Sequence, residues 1–366
     1  MMGQMVFRNV VHRPVRTIVS ILAVAVQVTL VIIIVGLTSG MMENYGKRME
    51  GIGADIMLQP PSAQVIISFS GAPMPIKLGD KLAEIKYIQA YTPVLLLFNI
   101  TGGVDNLWGI DPDSFRAVSG GFVFLSGHDI QGPYDMLADD VVAKSKNLTA
   151  GSTFRMLDHD FTVVGIIEHG KGGRIFVPLS TLQDLTASPD KTSVFFIKCT
   201  RPERTAGVME QMRDIFRGYE VRPLKDYLSL VTQSNLPGLD AFVRSMIGLA
   251  VAIGFLVIFL SMYTTVIERT RDIGILKSIG ASKGYIVKAL LGETLLICGV
   301  GIVAGISLSY LTRALFLSAF PTISILISPS WIVRSAIIAV LAGLLGATYP
   351  SYLASGKDPV EALAYD

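Results

Sequence analysis

The sequence predicts an α-helical membrane protein with four transmembrane helices and a large mixed α/β domain inserted between the first and second helices. The 366-residue chain is 51% hydrophobic and only 16% charged, and its mean hydropathy is +0.54. Four apolar stretches are long enough to cross a hydrocarbon layer of about 30 Å as helices. A single long polar stretch separates the first of them from the second. Together these observations exclude an ordinary soluble protein.

The first predicted span, Ile18 to Leu37, follows a basic segment that contains Arg8, Arg13 and Arg16. Its apolar run is longer than that of a secretory signal, and no convincing small-residue cleavage site follows it. We therefore interpret it as an uncleaved anchor. The other three predicted spans are Met246 to Ile267, Thr294 to Leu311 and Ser335 to Ala347.

Basic residues predict the orientation of these spans, because loops rich in lysine and arginine stay in the cytoplasm. The segment 268–288 between the second and third spans carries five basic residues against two acidic ones. With four spans, both termini then also lie in the cytoplasm. The loop 318–330 has no charged residue, although Arg313 and Arg334 near that edge weaken the asymmetry.

The predicted domains are residues 1–44 with the first span, an external α/β domain over 45–240, and a three-helix membrane part over 241–366. Strands are expected in the external domain where β-branched and aromatic residues lie between turn residues. Such runs are TPVLLLFNI, HDFTVVGIIEH and SVFFIKCT.

One helix of the external domain has recognisable ends. Thr200 and Glu203 have the spacing of a capping box, and Gly218 is placed to end the helix. The apolar residues expected on its buried face are Met209, Met212 and Phe216.

The sequence offers no catalytic or metal site. It has no G-x-x-x-x-G-K-[ST] motif, and HGKGGR at 169–174 lacks the spacing and the hydroxyl that phosphate binding requires. Asp158, His159, Asp160 and His169 are close in sequence, but we interpret them as a turn before a strand. The net charge of +2, with basic residues at membrane edges, does not indicate a nucleic-acid partner.

The most informative segment is ERTRDIGILKSIGAS, residues 268–282. Ile273, Leu276 and Ile279 recur at every third position, which is typical of an amphipathic helix on a membrane surface. Gly280 is expected to end this helix and Ser282 to cap the next one. From the residues alone, the segment is either a docking site for a force-generating partner or a plain interfacial connector.

This segment resembles the coupling segment of the MacB/FtsX-like family of ABC transporter permeases. Three further stretches are similar to that family: FRNVVHRPVRTIVSILAVAV, ADDVVAKSKNLTAGSTFRMLDHDFTVVGII and YPSYLASGKDPVEALAYD. The resemblance implies a four-span subunit of the bacterial inner membrane that forms homodimers or heterodimers. It also implies a separate cytoplasmic ATPase that binds ATP and magnesium, and an external domain with a second lobe inserted within Trp108 to Arg174.

The resemblance further implies which residues contact the ATPase. They are Glu268, Arg269, Arg271, Ile273, Gly274, Leu276, Lys277, Gly280, Ala281 and Ser282.

Glu293 matches an acidic family position at the start of the third span. It is either functional or a group that reaches headgroup water or pairs with Lys288. The small-residue pairs Gly36 with Gly40 and Gly301 with Gly305 are expected to pack helices, within one subunit or across a dimer.

The expected function is therefore that of the permease subunit of an ATP-driven MacB-type transporter. It would export or extract a substrate, with a periplasmic membrane-fusion protein as a further possible partner. Two alternatives stay open: an FtsX-like protein that controls a cell-wall hydrolase, and a membrane receptor without transport. No catalytic residue, metal or cofactor is expected on this chain.

Overall fold

The structure is a computed structural model that describes residues 14–61, 74–99, 105–230 and 237–356. The described residues divide into two compact units. One unit contains those of 1–39, 237–318 and 325–366, and the other contains those of 40–236 and 319–324.

The helices are α1 (Pro14–Glu50), α2 (Leu78–Ala83), α3 (Pro112–Ser119), α4 (Asp140–Lys146), α5 (Leu179–Leu185), α6 (Thr205–Ile215), α7 (Leu224–Leu230), α8 (Pro237–Glu268), α9 (Thr270–Ser278), α10 (Lys283–Ala319) and α11 (Pro329–Gly356). The strands are β1 (Ile56–Gln59), β2 (Met74–Pro75), β3 (Ile88–Asn99), β4 (Asp105–Ile110), β5 (Phe124–Gly127), β6 (Asp135–Asp139), β7 (Thr153–Met156), β8 (His159–Ile167), β9 (Ile175–Pro178), β10 (Lys191–Thr192), β11 (Val194–Cys199) and β12 (Glu220–Pro223).

Four helices, α1, α8, α10 and α11, are long and apolar enough to cross a membrane. They contain the four predicted spans, and each extends beyond the predicted ends. The difference is largest for α10, which has 37 residues, and α11 continues through Pro350. Hydropathy identifies only the apolar centre of such a helix, whereas the backbone hydrogen bonds continue into its polar flanks.

Glycines of α10 allow close packing against α1. A Cβ atom on Gly301 would lie 2.6 Å from Cβ of Val24, and one on Gly305 would lie 2.7 Å from the carbonyl oxygen of Ala25. Thr29 Oγ1 also donates a hydrogen bond of 3.0 Å to the carbonyl oxygen of Gly305. The structure therefore places this glycine pair at a contact within one subunit.

The other small-residue pair lies further along α1. Both Gly36 and Gly40 are buried. The backbone nitrogen of Leu326 donates to the carbonyl oxygen of Gly36 at 2.9 Å, and a Cβ atom on Gly36 would lie 2.9 Å from the carbonyl oxygen of Leu326. Gly36 therefore allows the chain before α11 to approach α1.

Gly305→Ala is expected to destabilise the membrane helices, because the added methyl group meets α1 backbone that cannot move aside without separating the two helices. Overpacking of this kind costs about 1–3 kcal/mol. Gly299 of the same helix is the matched control, since a Cβ atom there meets nothing within 4 Å. The thermal midpoint of the detergent-solubilised protein should fall for Gly305→Ala and stay level or rise for Gly299→Ala. Equal midpoints for the two variants would contradict the assigned packing.

The second unit is built on a ten-stranded sheet in the order β12-β1-β11-β3-β4-β9-β6-β8-β5, with β7 paired to β8. Adjacent strands are antiparallel except for the pairs β4 with β9 and β6 with β8. The three strands predicted from β-branched runs are confirmed as β3, β8 and β11.

The range within which the resemblance places a second lobe, Trp108 to Arg174, contains strands at one end of this sheet. Strands β5 to β8 lie between Trp108 and Arg174 in sequence, and β6 joins them to β9. The Trp108 ring stacks on Phe196 at 5.8 Å and meets Phe176 at 6.0 Å. These three aromatic residues belong to one of the hydrophobic clusters that line the sheet.

The predicted capping box of α6 is wrong. A 3₁₀ turn from Pro202 to Arg204 precedes the helix, which starts at Thr205 without a side-chain cap. Thr200 Oγ1 instead donates to the carbonyl oxygen of Tyr87 at 2.9 Å. Proline fixes the backbone in the turn and moves the helix start past the residues of the motif.

The rest of the α6 prediction is confirmed. The three apolar residues of its predicted face are buried. Gly218 has a φ of +89° just after the helix. The buried residues are Met209, Met212 and Phe216.

Candidate functional site

The segment between α8 and α10 forms a short helix between two sharp turns. Arg269 leaves the helical conformation between α8 and α9, with φ −107° and ψ 17°. Gly280 has a φ of +102°, and Ser282 Oγ accepts a hydrogen bond of 3.3 Å from the backbone nitrogen of Tyr285. The predicted helix end and the predicted cap of the next helix are both confirmed.

One face of α9 packs against the long helices of its own unit. Thr270, Ile273 and Gly274 are buried. Ile273 belongs to a hydrophobic cluster that includes Ile286 and Leu290 of α10. The buried face therefore fixes the position of α9 on the start of α10.

The opposite face of α9 exposes two large aliphatic side chains one helical turn apart. Ile275 is 41% exposed and Ile279 is 80% exposed. The expectation that Ile279 shares a face with Ile273 is wrong. Residues spaced by three advance about 300° per step, so two steps move the side chain by about 120° around the helix.

Three polar contacts tie this segment to the other long helices. Glu268 Oε2 lies 2.9 Å from Arg16 Nη1 of α1. Lys277 Nζ donates a 3.0 Å hydrogen bond to the carbonyl oxygen of Ser355 near the end of α11. With the third contact, which is to α10, the charged side chains of residues 268–277 attach this segment to three of the long helices.

That third contact is a buried ion pair between Arg269 Nη1 and Glu293 Oε2, at 3.2 Å. Glu293 is only 3% exposed. The partner of Glu293 is therefore Arg269. Neither of the partners considered from the sequence, Lys288 and headgroup water, is needed to pair this carboxylate. Removing the cation from a buried ion pair of this kind strongly destabilises the folded protein.

The residues that the resemblance assigned to ATPase contact are thus divided between two faces. Ile273 and Gly274 are buried and Arg269 is nearly so, whereas Arg271, Gly280 and Ser282 are exposed. Leu276, Lys277 and Ala281 are half-buried and Glu268 is exposed. Sequence reasoning missed Ile275 and overlooked the exposure of Ile279. Their spacing of four residues was the available signal.

A cavity of about 360 Å³ lies between α9 and the start of α10. It borders both the ion pair and the exposed face of α9. Its lining includes Arg269, Asp272, Ile275, Leu276, Tyr285 and Glu293.

The two histidines considered above contact different parts of the chain. His159 Nδ1 lies 2.8 Å from the carbonyl oxygen of Leu157, whereas His169 Nδ1 lies 2.9 Å from Asp140 Oδ1. Leu157 and Asp158 have positive φ values of 51° and 61°, so the interpretation as a tight turn is confirmed. Within the described ranges, no group of three or more His, Cys, Asp and Glu side chains could hold a metal ion.

Comparison with protein families gives two matches that together cover most of the chain. The model of the MacB-like periplasmic core domain matches residues 17–215. The model of the FtsX-like permease C-terminal region matches residues 244–359, which include the whole of 268–282.

Individual relatives agree with these matches. A macrolide export ATP-binding/permease protein MacB of Mannheimia succiniciproducens is 22% identical over 399 residues, covering 99% of this chain and 60% of the relative. An uncharacterized ABC transporter permease, YknZ of Bacillus subtilis, is 32% identical over 128 residues, covering 35% of this chain and 32% of the relative. The chain thus spans about 60% of the length of the full-length MacB match.

Among solved structures, the periplasmic region of MacB from Actinobacillus actinomycetemcomitans is similar with a TM-score of 0.39 and 15% identity. That similarity covers 50% of this chain and 96% of the other.

Proposed function

Because the chain belongs to the MacB-like and FtsX-like family of ABC transporter permeases, we propose that it is the membrane-spanning subunit of an ATP-driven transporter of the MacB type. In this proposal, the exposed face of α9 receives the movement of a cytoplasmic ATPase. The observation that carries the proposal is an exposed aliphatic pair, Ile275 and Ile279, in a short segment that is attached to other long helices. Its charged side chains Glu268, Arg269 and Lys277 contact α1, α10 and α11 respectively.

The exposed face has the composition of a docking surface. Burying one isoleucine side chain contributes about 1.5–3 kcal/mol, and charged residues beside such an anchor set the register of the partner. Arg271 and Asp272 occupy that position beside Ile275 and are exposed. A plain interfacial connector would instead place these two side chains in the membrane interface.

The ATPase and its bound ATP and magnesium lie outside these 366 residues, which contain no nucleotide-binding motif. The basic residues of 268–288 favour the cytoplasmic side for this segment and for both termini. Family membership supports the bacterial inner membrane as the location, a second permease copy, identical or related, as partner, and a periplasmic membrane-fusion protein as a further one.

The substrate is proposed to be taken from the periplasm or the outer leaflet. The four predicted spans contain no charged residue, and charged residues within spans are the usual markers of a substrate path through the membrane. The sheet of the second unit is then the part that acts on the substrate. The match to the FtsX-like region favours a second candidate function, in which the same movement controls a cell-wall hydrolase.

Purification of the tagged chain from its native membrane, with mass spectrometry of bound proteins, tests the proposal. An ATPase with a Walker motif is expected to co-purify, and a topology reporter at Ser282 should report the cytoplasm. A bound membrane-fusion protein would support transport, whereas a bound peptidoglycan hydrolase would support the second candidate. A reporter at Ser282 that is active only outside the cytoplasm would contradict both, and absence of any ATPase would favour a receptor.

A further inference from the structure

The segment 168–174 packs against the last turns of α1 inside the second unit. A Cβ atom on Gly51 would lie 1.8 Å from the carbonyl oxygen of Gly170. The backbone nitrogen of Gly172 donates a 2.7 Å hydrogen bond to the carbonyl oxygen of Arg48. The segment therefore follows the backbone of α1 closely where that helix ends.

Arg174, the last residue of this segment, joins three separate parts of the chain. Its Nη1 atom donates to Asp139 Oδ2 at 3.0 Å. Its Nη2 atom donates to Asn44 Oδ1 of α1 at 3.4 Å and to the carbonyl oxygen of Thr322 at 3.3 Å. Thr322 lies in the loop between α10 and α11, so one guanidinium connects α1, that loop and the end of β6.

Arg48 lies one helical turn after Asn44, on the same face of α1, and its guanidinium is incompletely bonded. Among the described residues, its buried Nε and Nη1 atoms have no hydrogen-bond partner. Leaving such donors unbonded is costly. A different position of α1 in which these Arg48 donors were hydrogen-bonded would therefore compete with the position observed.

Both arginines act on the same carboxylate. Burial raises the pKa of the Asp139 carboxyl, while the charges of Arg174 and Arg48 oppose that rise. Asp139 is 1% exposed, so it is a strong partner for whichever guanidinium reaches it. One buried carboxylate thus lies within the electrostatic influence of two guanidinium groups and is bonded to one of them, Arg174.

We propose that Arg174 and Arg48 are alternative partners of Asp139, which gives this cluster two discrete positions. In the position observed, Arg174 holds Asp139, Asn44 and Thr322 together. In the other, the last turns of α1 have shifted, the backbone hydrogen bond from Gly172 to Arg48 is broken, and Arg48 binds Asp139. Arg174 then releases Asn44 and the loop at Thr322, so a movement of α1 changes the contacts of the domain in one step.

The idea that the ATPase drives this exchange rests on the proposed function. The exchange itself can be tested independently of that function. It is tested by a double-mutant cycle on the full chain in detergent, without any ATPase, using Arg48→Met and Arg174→Gln. In the protein that keeps Arg174, Arg48→Met should leave the thermal midpoint unchanged or raise it, because the substitution removes a buried charge that is incompletely hydrogen-bonded. Arg174→Gln should lower the midpoint by about 5 °C or more.

The decisive variant is the double substitution. With Arg174 replaced, Arg48 is expected to become the partner of Asp139, so adding Arg48→Met should now lower the midpoint by several degrees. Lys47→Met, at an exposed neighbouring position, is the control and should have the same small effect in both backgrounds. Arg174→Lys serves in place of Arg174→Gln if the latter is not recovered, since lysine cannot bond all three partners at once.

If Arg48→Met changed the thermal midpoint by the same amount with and without Arg174→Gln, the proposed exchange would be overturned. This outcome does not depend on the ATPase. Failure of any ATPase to co-purify would instead overturn the proposed function and leave the result of the cycle standing.

Discussion

Replacing Ile279 with aspartate is expected to abolish co-purification of the ATPase while the permease remains folded in the membrane. The side chain is 80% exposed, so aspartate costs little in the free subunit. In the complex, an anchor residue would be lost and an unpaired carboxylate would be buried. Loss of such an anchor costs about 2 kcal/mol or more, which is a loss of affinity of about 30-fold or more.

Two controls separate docking from folding. Ile215→Asp introduces the same change at an exposed position, 46% exposed, in α6 of the other unit, and the ATPase should still bind. Ile273→Asp changes a buried residue of α9 and should reduce the amount of folded permease. If the Ile279→Asp variant retained the ATPase at wild-type levels, the exposed face of α9 would not be the docking surface.

Arg269→Ala is expected to unfold the helix ends around α9, because it leaves the carboxylate of Glu293 buried without its cation. Removing one partner of a buried ion pair costs about 3–5 kcal/mol. The yield of monodisperse protein and its thermal midpoint should both fall sharply. Replacing both residues, as Arg269→Met with Glu293→Met, should restore most of the loss, since a matched apolar pair leaves no charge unpaired.

This result also separates two roles for Arg269. If it contacts the ATPase, as the resemblance implies, Arg269→Ala should weaken ATPase binding without changing the midpoint of the permease alone. If it positions α9 on α10, as the ion pair indicates, the midpoint falls even in the absence of the ATPase. An unchanged midpoint would contradict the positioning role.

Features set by neighbouring residues were predictable from the sequence. The turn at Gly280, the cap at Ser282 and the strand β8 each depend on residue types within a few positions. The start of α6 was not, because Pro202 forms a short turn inside the apparent capping motif. The four spans were predictable as apolar centres, but their helical ends were not.

Contacts between distant parts of the chain left no local signal. Arg174 meets Asn44 across 130 residues and Thr322 across 148, and Arg269 meets Glu293 across a change of helix. The face of α9 that is exposed depends on how Ile273 packs against α10. The three-residue spacing alone predicted the wrong position for Ile279.

Photo-cross-linking from α9 tests the central claim most directly. A photoreactive amino acid is placed at Ile275, Ile279 or the buried Ile273 of the full-length permease in native membranes, and cross-linked proteins are identified by mass spectrometry. The account predicts that the positions of Ile275 and Ile279 cross-link to a cytoplasmic ATPase and that the position of Ile273 cross-links within the permease. Cross-links from Ile279 to lipid or to an external protein, with none to an ATPase, would contradict it.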